Sequence, residues 1–173
     1  SKMSKAATDW LDAALVGGHI RGGIGLVTGD LEDWPFKDHN GRFEATGRID
    51  NGNIRFQRDW PTMDKVEGDI AFIGPGFELH GRGDLAGVAV DHFDAGIADF
   101  GASQLYVKAA SRSDAGALLA MLKQSPLHKT YADSLDNLAA KGPAAVTFDL
   151  LQPLHHAEGG GHLQGTVDLD GAT

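Results

Sequence analysis

The chain has 173 residues, of which 42% are hydrophobic, with a formal net charge of −9 and no cysteine. That length buries the core of one domain, and the acidic balance with scattered Lys and Arg excludes a nucleic-acid surface, which needs concentrated positive charge. The lack of cysteine excludes a disulfide framework and a thiolate metal site, and no stretch approaches the roughly 20 consecutive apolar residues of a membrane-spanning helix.

Taken in chain order, Thr8 and Asp9 are N-cap candidates for a short helix over about 9–16, with Trp10, Leu11, Ala14 and Leu15 on one side and Gly17-Gly18 as its stop. Residues 19–29 alternate loosely and predict a strand, followed by a turn at 30–33. The stretch 34–61 then reads as one β-hairpin between two Trp-Pro corners, Trp34-Pro35 and Trp60-Pro61. Within it Phe43, Ala45, Gly47 and Ile49 share one face, Arg42, Glu44, Thr46 and Arg48 share the other, and Ile54 and Phe56 resume the apolar face. Asn51-Gly52 between them is the dipeptide preferred in a type I′ turn, so the chain is predicted to reverse there.

Three further strands are predicted over 65–73, 77–83 and 87–97, with turns at Gly74-Pro75-Gly76 and around Asp84. Val66, Gly68, Ile70 and Phe72 set one face of the first, and Phe77 and Leu79 one face of the second. A strand over 103–111 follows, and then the hydrophobic period changes. Ser113 as N-cap and Asp114 as first-turn acid head a helix over 113–124 with the stripe Ala115, Leu118, Leu119 and Leu122. A second helix over 128–140 carries Tyr131, Leu135 and Leu138 and stops at Gly142-Pro143. Strands return at Val146, Phe148 and Leu150 and at Leu163, Gly165, Val167 and Leu169.

These elements define an α+β fold, mainly an antiparallel β-sheet, with a short N-terminal helix and a late helix pair. The 24 glycines lie inside the alternating segments, which predicts a curved, twisted sheet. Each strand has one apolar face, and two short helices are too small to cover about seven to nine strands. The remainder of that face must meet another sheet, another copy or an apolar ligand.

Candidate chemistry is sparse. His155, His156, Glu158 and His162 are the densest set of metal-ligand types, but their spacing matches no helical HExxH arrangement and a glycine run does not preorganise ligands. They read as loop residues, with a metal-dependent hydrolase as the alternative. His80 and His92 fall on polar strand faces, where solvation accounts for them. There is no GxSxG, no P-loop and no dinucleotide fingerprint, since a strand follows GPGFELHGRG. Trp34 and Trp60 read either as an aromatic platform for sugar or lipid or as plugs at the end of a core.

The succession WPF, GRF, NGNIRFQRDWP, VEGDIAFIGPGFELHGRG, IADFG at 97–101 and SPLHK is similar to the central region of the YhdP family of AsmA-like proteins of the Gram-negative envelope. The resemblance covers roughly residues 8–170. It implies a non-enzymatic, cofactor-free, β-rich segment over 1–173, a fragment of a long inner-membrane-anchored protein that crosses the periplasm and conducts phospholipid along a hydrophobic groove toward the outer membrane. The strand-like end LQGTVDLDGAT, with no closing element, agrees with a fragment. Acyl chains and neighbouring segments of the parent protein are the implied partners. Phe43, Ile49, Ile54, Phe56, Ile70, Phe72, Phe77 and Leu79 are the candidate groove-lining positions, and an apolar core closed without a ligand is the competing reading.

Overall fold

The structure, a computed structural model, describes residues 5–33, 40–154 and 161–169. Eight strands form one sheet in sequence order, each antiparallel to the next, with β1 and β8 at the two open edges. They are β1 (Leu15–Thr28), β2 (Arg42–Ile54), β3 (Met63–Ile73), β4 (Gly76–Leu85), β5 (Val88–Ile97), β6 (Gln104–Asp114), β7 (Pro143–Pro153) and β8 (His162–Asp168). Helix α1 (Lys5–Ala14) precedes the sheet, and α2 (Ala115–Lys123) and α3 (Leu127–Asp136) connect β6 to β7. The sheet is unclosed and curved.

The predicted hairpin at Asn51-Gly52 does not form, because β2 runs straight through that dipeptide. Leu15 and Gly17 of β1 pair on one side of it and Val66 and Met63 of β3 on the other, so ladder bonds with two neighbours outweigh a local turn preference. Asn51 keeps its positive φ of 50° inside a bulge between Ile49 and Ile54. Two consecutive positive-φ residues occur instead at Ala86 and Gly87, where Leu85 and Val88 pair across a two-residue loop. Asp84 fixes that loop by accepting from the Gly87 amide at 2.8 Å.

The helices also differ from their predicted bounds. Thr8 and Asp9 lie inside α1 rather than at its cap, with Lys5 and Asp9 forming an ion pair one turn apart. The helix ends at Ala14, and Gly17-Gly18 belongs to β1, where pairing with β2 takes over. Helix α3 ends at Asp136 with Asn137 as C-cap, short of 140. Helix α2 starts at Ala115, and its N-cap is Asp114 rather than Ser113: Asp114 Oδ1 accepts from the Gly116 and Ala117 amides at 2.9 and 3.2 Å. Its Oδ2 takes the Gly142 amide at 2.8 Å, tying the start of β7 to the start of α2.

Curvature has a local cause. Irregularities interrupt every pairing from β1 to β5, whereas the β5–β6, β6–β7 and β7–β8 ladders are regular. Bulges bend and over-twist a strand pair, and the bent half turns its apolar face inward. There Ile49, Ile54, Val66, Ile70, Phe77, Leu79 and Phe93 join one buried cluster, with Phe93 wholly enclosed. Helix α1 folds back onto this face. Trp10 stacks on Phe77 with ring centroids 5.7 Å apart and donates from Nε1 to the Phe56 carbonyl at 2.8 Å.

The opposite, convex face is polar. Arg82 and Glu67 pair at 2.6 Å, Arg48 and Asp69 at 3.3 Å, and Asp94 sits between His80 at 2.5 Å and His92 at 3.0 Å. The two histidines therefore belong to a solvated strand face, as their alternation predicts.

Candidate functional site

The second half of the sheet presents its concave apolar face to a different cover. Val88 and Val90 of β5, Val107 of β6, Phe148 and Leu150 of β7 and Leu163 of β8 floor a cavity of about 450 Å³. One wall is the connector between β2 and β3, from which Phe56, Trp60 and Pro61 project. The roof is Leu118, Met121 and Leu122 of α2 with Leu127 and Tyr131 of α3. Apart from Gln57, Ser111, Tyr131 and Thr147, the lining side chains are hydrocarbon, aromatic or glycine. The Ser111 hydroxyl is engaged, donating to the Ala89 carbonyl at 2.5 Å. Such a lining holds hydrocarbon and offers little to a polar ligand.

The connector reaches this site because the sheet is curved. On a flat sheet β3 and β7 lie about 19 Å apart, at ~4.8 Å per strand spacing. Trp60, at the end of the connector into β3, nevertheless meets Phe148 of β7 edge-on at 5.3 Å between ring centroids. Phe56 makes the same kind of contact with Phe93 of β5 at 5.6 Å. Trp60 thus acts as a core plug and a cavity wall together, and Trp34 lies outside the described residues.

Of the groove positions nominated from sequence, Phe56 lines the cavity. Ile49, Ile54, Ile70, Phe77 and Leu79 are buried on the same concave face beside α1, with Phe72 packed against them. Phe43 is half-buried near the β1 edge. Sequence reasoning missed the walls contributed by β5 to β8. The signal was present: Val88 and Val90, Val107 and Ala109, and Phe148 and Leu150 alternate as clearly as the positions chosen, and the helix pair is inserted between β6 and β7. Elements adjacent in the chain are usually adjacent in space, so the helices cover those strands.

His155, His156 and Glu158 lie outside the described residues, and His162 is exposed at the start of β8. Among the described residues no group of three His, Asp or Glu side chains is placed to hold a metal ion. None of the described helices is long and apolar enough to cross a membrane.

Fold and site together define an open antiparallel sheet whose concave face carries an apolar chamber. The family model described as YhdP protein matches residues 1–173, and the chain belongs to that family. It is 26% identical over 154 residues to the intermembrane phospholipid transporter YhdP of Escherichia coli (strain K12). That alignment covers 88% of this chain and 12% of the relative, so the chain spans about an eighth of the relative's length. No solved structure matches the chain.

Proposed function

We propose that this chain is a non-enzymatic segment of a phospholipid-transporting envelope protein and that its concave face forms one stretch of the lipid path. The observation that carries the reading is the 450 Å³ chamber with its hydrocarbon lining, set on the concave side of an open sheet whose convex side is charged. An acyl chain on that face leaves water for apolar surroundings, which is favourable in proportion to the area covered. Membership in the YhdP family and likeness to an intermembrane phospholipid transporter support lipid as the cargo. In this reading the segment lies in the periplasm as part of an inner-membrane-anchored protein. Neighbouring segments of the parent chain continue the sheet, and no cofactor is used.

Phe56 and the β5 to β8 face are the contact surface for acyl chains. Phe43, Ile49, Ile54, Ile70, Phe72, Phe77 and Leu79 form the base of the same groove nearer β1. Ile54 is only 1% exposed, so a charge there tests folding rather than transport. Val167 is the better position, since it lines the chamber yet is 53% exposed. Expressed in a Gram-negative host and analysed by native mass spectrometry with lipid extraction, the chain is expected to carry phospholipid. Val167→Asp is expected to fold with an unchanged unfolding midpoint and to lose most of that lipid. A lipid-free wild-type chain favours a closed structural domain instead.

A further inference from the structure

The two roof helices are held very differently. Leu118 and Met121 of α2 are buried in a cluster with Val88, Ala115 and Ala144, and Asp114 ties the N-terminus of α2 to the start of β7. None of the α3 residues is buried, and its backbone leaves helical geometry at Tyr131 (φ −122°, ψ 26°), while its first amide, that of Leu127, donates to the hydroxyl of the buried Ser125 at 3.3 Å. Yet α3 contributes Leu127 and Tyr131 to the chamber, and Tyr131 is 56% exposed. Lys129 Nζ of α3 reaches Asp59 Oδ2 of the β2–β3 connector, next to the wall residue Trp60, at 3.5 Å. Both side chains are solvent-exposed, and an exposed ion pair is easily broken.

We propose that α3 is a lid over a chamber that takes lipid acyl chain, with the Lys129–Asp59 pair as its latch. The moving part pivots on the buried Ser125, whose hydroxyl donates to the Leu122 carbonyl of α2 at 2.7 Å, and is followed by the exposed Asn137, Leu138 and Ala139. Beyond them α2 and Gly142 stay fixed through Asp114, so α3 swings while α2 remains on the sheet, and the swing also parts the partly exposed Lys123–Asp136 pair between the helices at 3.9 Å. The apolar lining under the lid suits acyl chain, and the headgroup stays outside it.

This inference rests on the lipid reading above, and the test separates the two. The chain has no native cysteine, so Lys129→Cys with Asp59→Cys gives one defined site for a short bis-maleimide bridge. The probe is a phosphatidylethanolamine carrying one pyrene-labelled acyl chain, in vesicles of phosphatidylethanolamine and phosphatidylglycerol. Its transfer to the protein is followed by loss of excimer emission. The bridged protein is expected to load at least tenfold more slowly than the same variant unbridged. A control bridge on the convex face, through Glu67→Cys and Arg82→Cys, is expected to leave the rate unchanged. Breaking the latch with Lys129→Asp is expected to speed loading two- to fivefold, and adding Asp59→Lys to restore the wild-type rate. Equal loading with and without the 59–129 bridge overturns the lid while lipid binding stands. No transfer to the wild-type chain overturns the lipid reading and the lid with it.

Discussion

Gly68 and Gly81 face each other across β3 and β4, and the close approach there requires both. A Cβ built on Gly68 would stand 2.2 Å from the His80 carbonyl oxygen, and one on Gly81 would stand 2.6 Å from that of Glu67. Backbone atoms cannot rotate away as a side chain does. Gly68→Ala is therefore expected to destabilise the fold by about 1–3 kcal/mol, the usual cost of overpacking. Gly23→Ala, with its nearest neighbour at 3.8 Å, is expected to be near neutral. Urea unfolding midpoints of the two variants check the contrast.

A second residue-scale prediction concerns His80 and Asp94. The hydrogen bond that His80 donates to Asp94 raises the His80 pKa above its usual 6.5, and the same bond lowers that of Asp94 below its usual 3.8. The histidine's share of stability is fully present below pH 6.5 and is lost as pH rises through its raised folded value. The aspartate's share is present above pH 3.8 and is lost as pH falls through its lowered folded value. The pair contributes most between those limits. Both groups are partly exposed, so the effect is about 0.2–1 kcal/mol. The stability gap between wild type and His80→Gln is expected to be largest near pH 5.5 and to shrink by pH 8.5, measured by urea unfolding across that range.

At the scale of elements, α1 closes the bent half of the sheet. Trp10 supplies both its apolar contact with Phe77 and its hydrogen bond to the connector. Trp10→Phe keeps the ring and loses the bond, at an expected cost of about 1 kcal/mol. Trp10→Ala loses both, at about 3 kcal/mol, the low end for a large aromatic truncation. If the two variants unfold at the same midpoint, the stacking contributes nothing and α1 is held by other contacts. Element type was legible wherever the pattern was long, as in the strands of the middle third and in α2, although the cap fell on Asp114, one residue after the expected Ser113. It was not legible at Asn51-Gly52. A dipeptide suited to a turn lies within a strand there because β1 and β3 both continue past it.

At the scale of the whole molecule, the curved sheet divides its concave face between two covers. Helix α1 packs against the bulged half, α2 with α3 roofs the regular half, and the β2–β3 connector lies between, reaching Phe93 of β5 and Phe148 of β7. The candidate site follows from this division. Alternation shows that a residue faces the apolar side, but it carries no information on which part of that side is left uncovered. Ile54 and Val90 have the same signature, yet only Val90 lines the chamber.

The sequence by itself determined the strands of the middle third with their apolar faces, the existence of α2 and the family to which the chain belongs. The first two rest on periodicity along one element, and the last on a succession of motifs along the chain. The tertiary structure decided that Asn51-Gly52 lies within a strand, that Trp60 reaches Phe148, and that the chamber is built from β5 to β8 and the helix pair. Those outcomes depend on the accumulated bend of eight paired strands, and bending sums over residues far apart in the chain.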